Sequence, residues 1–228
     1  MTVDIIQRPA SSAAKIGLSA QEHITAEGGA MIAMSGDMEV TTTTHKKEGG
    51  RVLKGLARKL GGEGLFMNHF TAGPKGGELY LSTTLTGDME CIPLREGTNL
   101  MVQKGSFVAH ESTVDMAISW QGLKNIFSGE SMIWLKMSGS GQVIINAFGA
   151  LYPVDVDGEY IVDTGNLAAF EDTLSYTISK AGKSLLSSFL GGEGLVCRFQ
   201  GTGRVWCQTH ADRNFGMSLR PHLIPKKR

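Results

Sequence analysis

Glu63, Glu130 and Glu193 are the polar residues whose type and spacing come nearest to chemistry. Each follows a glycine, with Leu56, Leu123 or Leu186 seven residues before it and Leu60, Phe127 or Leu190 three before it. As a functional site, a carboxylate held in register in three places would make a symmetric carboxylate set. It could equally accept backbone N–H groups, or pair with a basic residue, where a helix meets a strand. A residue present in every copy of a unit is expected to serve the unit's fold, so the three glutamates are read as structural or interaction residues. The six histidines, His23, His45, His69, His110, His210 and His222, form no His-x-His or His-Glu-x-x-His pattern and so no closely spaced zinc set. No Gly-x-Ser-x-Gly elbow marks a hydrolase. Gly139-Ser140-Gly141 and Gly201-Thr202-Gly203 lack the Gly-Lys-Ser/Thr and following helix of a phosphate loop, and read as hairpin turns. Counting outward from the second turn places Cys197 opposite Cys207, as two small apolar residues in preference to a redox pair. No catalytic residue, metal ligand or cofactor site is assigned, and the chain is not expected to be an enzyme.

These residues sit in a chain of 228, with 22 basic and 22 acidic side chains. A nucleic-acid binder normally carries a net positive charge or a dense basic stripe, because phosphate contacts supply most of its affinity. The balance argues against that partner, and the terminal Lys226-Lys227-Arg228 reads as a solvated tail. Hydrophobic residues make up 41% of the chain, enough for a packed core. Thirty glycines against 6 prolines, without a collagen-like period, point to many tight turns between short strands. Met1 to Leu18 has no uninterrupted apolar stretch of signal-peptide length, and no window approaches the roughly 20 apolar residues of a membrane-spanning helix. Three cysteines, Cys91, Cys197 and Cys207, are too few for a disulfide framework. A cytoplasmic location is expected.

The elements that position the glutamates repeat. Leu53 to Phe66, Trp120 to Ile133 and Lys183 to Val196 each run from a short apolar-periodic stretch through Gly-Glu into a strand-like run. The stretches read as short amphipathic helices: Val52, Leu53, Leu56 and Leu60 share one face in the first, and Leu185, Leu186, Phe189 and Leu190 in the third. Those apolar faces are candidates for packing against a β unit or a partner, and secondly for contact with a membrane surface. Val102-Gln-Lys-Gly-Ser-Phe-Val-Ala-His resembles Val162-Asp-Thr-Gly-Asn-Leu-Ala-Ala-Phe, with Gly105 and Gly165 separated by 60. Ile92-Pro93-Leu94 and Tyr152-Pro153-Val154 lie at the same interval, and Arg220-Pro221-His222-Leu223 reads as a third partner at the far end. The expectation is an all-β chain of three repeats, about 22–98, 99–158 and 159–224, within one compact unit spanning 1–228. A C-terminal strand would close onto the N-terminal repeat in a pseudo-threefold arrangement. Met31, Met34 and Met38 cluster in the first copy, as core or as a pliable binding surface.

Helix, Gly-Gly-Glu-Gly, hairpin, Gly87-Asp-Met-Glu, Ile92-Pro-Leu and Val102 to Ala109 together resemble a widespread bacterial family whose mitochondrial relatives are called altered inheritance of mitochondria protein 24. The resemblance runs from about His23 to Leu223 and carries no catalytic signature. It implies three tandem β-sandwich-like units similar to the subunit of the tryptophan RNA-binding attenuation protein, a double-stranded β-helix type of fold. It also implies a homotrimer, with nine units around one axis. The RNA and tryptophan sites of the attenuation protein do not carry over, because no basic residue repeats at matching positions. The mitochondrial relatives associate with the inner membrane. A scaffold or interaction role follows as the expectation, with an unidentified protein partner or a peripheral contact at the inner face of the membrane. The alternative is a binding module for a small ligand or nucleic acid in clefts between units.

Overall fold

The computed structural model describes residues 1–44, 65–119, 133–180 and 195–224. The described chain is predominantly β, and every strand pairing in its sheets is antiparallel. The first sheet has the order β1 (Thr2–Ile6), β2 (Ala13–Leu18), β7 (Gly77–Leu81), β4 (Met31–Met34). The second runs β5 (Glu39–Thr44), β6 (Phe66–Thr71), β3 (His23–Glu27), β10 (Phe107–Glu111), β13 (Gly141–Asn146), β8 (Met89–Leu94). The third runs β11 (Val114–Ser119), β12 (Trp134–Gly139), β9 (Leu100–Gln103), β15 (Leu167–Glu171), β17 (Leu195–Gln208), β14 (Leu151–Asp163), with β16 (Ser175–Lys180) also on β17. One α-helix, α1 (Asp212–Leu219), follows β17.

Alternation of apolar and polar residues sets which face each strand buries. In β2, Ala14, Ile16 and Leu18 are buried while Ala13, Lys15 and Gly17 are half-buried. Three apolar clusters result. One gathers Ile16, Ile24, Phe70, Leu79 and Leu81, a second Leu100, Phe107, Leu135, Val143 and Trp206. The third is aromatic: Phe170 sits with ring centroids 4.9 Å from Trp134, 4.9 Å from Tyr176 and 5.1 Å from Phe199. Edge-on and tilted ring pairs at these distances contribute beyond simple area burial.

Two of the prolines mark edges. Pro93 lies on β8 and Pro153 on β14, the terminal strands of their sheets, where a residue without an N–H removes no ladder bond. Arg220-Pro221-His222 differs from the sequence expectation. It is a 3-10 turn after α1, not a strand, with Pro221 in its first positions. Proline's fixed φ suits a helical first turn as readily as a strand edge, so the Pro-centred pattern does not discriminate between the two. Helix α1 instead docks through Phe215 on Phe148, with ring centroids 5.3 Å apart.

The two Gly-x-Gly turns also differ. Strands β12 and β13 do not pair with each other: β12 pairs with β11 and β9, while β13 pairs with β10 and β8. The chain passes at Gly139-Ser140-Gly141 from one sheet into the next. Strand β17 runs unbroken through Gly201-Thr202-Gly203. Cys197 therefore faces Val162 and Ile178, and Cys207 faces Tyr152 and Leu167, so the two cysteines are not opposite each other. The glycines are needed for close approach instead. A Cβ on Gly141 would come within 2.6 Å of Thr113 Oγ1, and one on Gly203 within 2.5 Å of Thr173 Oγ1. Gly139 and Gly201 hold φ of +106° and +121°, which side-chain-bearing residues resist.

Candidate functional site

All the site residues singled out from the sequence lie outside the described residues: Glu63, Glu130 and Glu193, and the apolar faces Val52, Leu53, Leu56, Leu60, Leu185, Leu186, Phe189 and Leu190. The described residues supply other features.

The first is a cleft of about 410 Å³ where the β3–β4 turn meets the residue after β9. Glu27, Gly28, Gly29, Ser82, Thr83, Thr84 and Lys104 line it, with Leu65 and Phe66 as the apolar wall. Gly29 has φ +93°, which lets the turn close. Gly28 N–H donates to Phe66 O at 2.8 Å and Ser82 N–H to Ala30 O at 2.8 Å. The cleft thus offers a carboxylate, an ammonium and three hydroxyls on a backbone fixed by hydrogen bonds. Its volume falls in the range of small-molecule sites.

The second is a buried carboxylate. Asp88 accepts two bonds from Arg8 (2.8 and 2.7 Å), one from Ser12 Oγ (2.9 Å) and one from the Met89 N–H (2.8 Å). Burial pushes its carboxyl up, but the bonds from Arg8, Met89 and Ser12 outweigh that and hold it below the usual aspartate range. Every oxygen is taken, so the group ties the segment between β1 and β2 to the body of the protein.

The thiols are the third. Burial pushes Cys197 up to about 12, and Cys207 and Cys91 to about 11 each, so all three stay protonated at neutral pH. Among the described residues no three of His, Cys, Asp and Glu gather in a metal-binding group. His69 is held between Thr25 Oγ1 (2.9 Å) and Thr43 Oγ1 (2.7 Å) on the two flanking strands. Among the described residues no helix is long and apolar enough to cross a membrane.

The fourth is a pair of strand edges that carry no further strand among the described residues. β4 and β14 each end a sheet, and both carry exposed apolar side chains: Met31 is 42% and Ile32 58% exposed, Tyr160 38% and Ile161 44%. Such residues on an unpaired edge are a template for strand addition unless something covers them. The methionine group drew attention to β4 in the sequence, and the structure divides it: Met38 is buried, Met34 half-buried and Met31 exposed. Nothing in the local sequence of β14 distinguishes its open edge from a covered one.

An all-β chain of curled antiparallel sheets, with Pro-marked edges and glycine corners, is the class of protein defined by this fold. The chain belongs to the family described as Mitochondrial biogenesis AIM24, whose profile matches residues 3–210. Its fold is similar to that of protein SPYM3_0169 from Streptococcus pyogenes, solved by X-ray crystallography, with a TM-score of 0.79 at 21% identity. That similarity covers 97% of this chain and 99% of the other. No protein with a curated description matches the chain.

Proposed function

We propose that the chain is a non-enzymatic scaffold or interaction protein that assembles as a homotrimer from three tandem units, each similar to the subunit of the tryptophan RNA-binding attenuation protein. The observation that carries this reading is the exposed apolar edge of β4, which pairs with β7 on one side, carries no strand on the other among the described residues, and bears Met31 and Ile32. Free apolar strand edges favour pairing with another chain, and native proteins shorten, bend, charge or cover them.

Recurrent hydrogen bonds support the three units. Glu111 Oε2 accepts the Gln142 N–H at 2.9 Å, Glu171 Oε2 accepts the Arg204 N–H at 2.9 Å, and Ser35 Oγ accepts the Glu78 N–H at 2.8 Å. Each acceptor ends or follows a strand with a register shift: at Phe107/Ala109, Leu167/Ala169 and Met31/Ala33. Pseudo-threefold order inside each chain, and nine units around one axis in the trimer, are the arrangement we propose with it. Native mass spectrometry tests the assembly. A species of about three times 24.4 kDa is expected, and a lone monomer at micromolar concentration removes the reading.

Work at the inner face of a membrane, from the cytoplasmic side, is the setting we propose. The apolar helical face that the sequence pattern predicts at Leu53 and Leu56, and the exposed Leu219, Leu223 and Ile224 near the basic C-terminus, suit peripheral contact. Flotation with anionic vesicles, lost in the Leu53→Asp, Leu56→Asp variant, is the expected result. Wild-type protein that fails to float with either anionic or neutral vesicles contradicts it.

A second reading rests on the 410 Å³ cleft lined by Glu27 and Lys104, whose opposite charges suit a small zwitterionic ligand. A rise in melting temperature with an amino acid, abolished by Lys104→Ala, would favour it over the scaffold reading.

A further inference from the structure

Two strand edges lack the neighbour that otherwise similar strands possess. β10 lies between β13 and β3, with Ala109 opposite Ala26, His110 opposite Thr25 and Glu111 opposite Ile24. β15 lies between β17 and β9 in the same register, with Ala169 opposite Val102, Phe170 opposite Met101 and Glu171 opposite Leu100. β4 pairs with β7 as β10 pairs with β13, down to the register shift and the side-chain acceptor two residues beyond it. Among the described residues its other edge carries no strand.

The complementary vacancy is on β14. β9 pairs with β12 (Val102 opposite Leu135) and receives β15 on its other edge. The second half of β14 pairs with β17 in the equivalent way, Val162 opposite Cys197. Among the described residues its other edge is also unpaired, and Tyr160 and Ile161 stand exposed on it.

The cores carry the same asymmetry. Val108, the bulged residue of β10, is fully buried in the cluster around Ile24 and Phe70. Ala168, the bulged residue of β15, is fully buried in the cluster around Val102 and Leu135. Among the described residues the aromatic cluster around Val162, Cys197 and Phe199 receives no such residue, and Ile32, at the bulge of β4, enters no cluster.

We infer that these two vacancies are halves of one interface between copies of this chain. β4 of one copy adds antiparallel to residues 159–163 of the next, with Ala33 opposite Val162, Met34 opposite Ile161 and Ser35 opposite Tyr160. Ile32 then seats against the aromatic cluster of the neighbour, as Val108 and Ala168 seat within the chain. The contact is head-to-tail, so each copy offers both halves and a closed ring leaves neither edge open. This inference rests on the proposed self-assembly and specifies the surface that makes it.

The test is cross-linking of the full chain. Met34→Cys with Ile161→Cys, treated with a short bis-maleimide, is expected to give a ladder of covalent dimers and trimers, and each single variant is not. Ile32→Asp is the second variant. It is expected to keep a folded chain by circular dichroism while weakening assembly roughly 30-fold or more per contact, the scale of a central apolar anchor. A native-mass trimer that gives no cross-linked ladder, or one that Ile32→Asp leaves intact, overturns this interface while the trimer stands. A wild-type monomer overturns both.

Discussion

β10 and β4 make the same bonds on one side and meet different surroundings on the other. Both carry a bulge at their second residue, both pair antiparallel with a later strand (β13 and β7), and both carry or are followed by a side-chain oxygen that takes a backbone N–H. Phe107, Val108, Ala109 and His110 are all buried, whereas Met31 and Ile32 are exposed. Local pairing therefore does not determine which residues become core. The strand laid against the second edge does, and β10 has it in β3 while among the described residues β4 has none. The comparison teaches that an exposed apolar strand can be as well-formed as a buried one and still be incomplete.

The largest expected effect separates the two strands directly. Val108→Asp buries an unpaired charge and should cost more than about 4 kcal/mol, enough to unfold a domain of ordinary stability. Ile32→Asp, at the corresponding place, should alter the stability of the isolated chain by no more than about 0.5 kcal/mol and act on assembly alone. Denaturant melts of both variants check this, and equal losses of chain stability would erase the distinction between the strands.

A third edge, that of β2, is neither open nor covered by another unit. β1 covers it, Thr2 opposite Gly17 through Ile6 opposite Ala13, and Asp88 anchors the chain that follows through Arg8 and Ser12. Asp88→Asn should cost about 2 kcal/mol, because a buried, multiply bonded carboxylate loses its charge-assisted partners. The sign with pH follows from its depressed pKa. The contribution is fully present above the ordinary aspartate pKa and is lost as pH falls through the lower folded value. Acid melts in which the wild type loses this margin below about pH 4 while Asp88→Asn stays flat are expected.

The corners between sheets give a smaller effect. Gly141→Ala should destabilise by about 1–2 kcal/mol, because its Cβ would press on Thr113 Oγ1. Gly105→Ala, where a Cβ meets nothing within 4 Å, should be neutral or slightly stabilising. The smallest effect belongs to the repeated acceptor: Ser35→Ala should cost about 0.5–1 kcal/mol by freeing the Glu78 N–H. Thermal melts under conditions that keep the chain monomeric compare all three.

Much of this architecture was legible in the sequence. The strand-like runs Leu79 to Leu85 and Gln142 to Phe148 overlap β7 and β13, which end earlier, at Leu81 and Asn146, and the 60-residue offset between Val102 and Val162 matches strands that end at corresponding 3-10 turns. Pro93 and Pro153 fall on sheet edges, as their missing N–H requires. Other features were not legible. A Gly-x-Gly between two strand-like runs is consistent with a hairpin or with a corner, and only the partners of β12 and β13 decide. Pro221 fits a helical first turn as well as a strand edge. The open edges of β4 and β14 are invisible to periodicity, because an edge is defined by a missing neighbour and not by the residues that form it.

Amide hydrogen exchange at β4 and at residues 159–163, followed across a dilution series, tests the central claim most directly. At concentrations where the assembly is intact, the amides of Met31 to Met34 should be protected to the same order as those of β10, and dilution to the monomer should free them while β10 stays protected. Exchange at β4 that is fast at every concentration, alongside an intact trimer by mass, would show that some other surface holds the copies together.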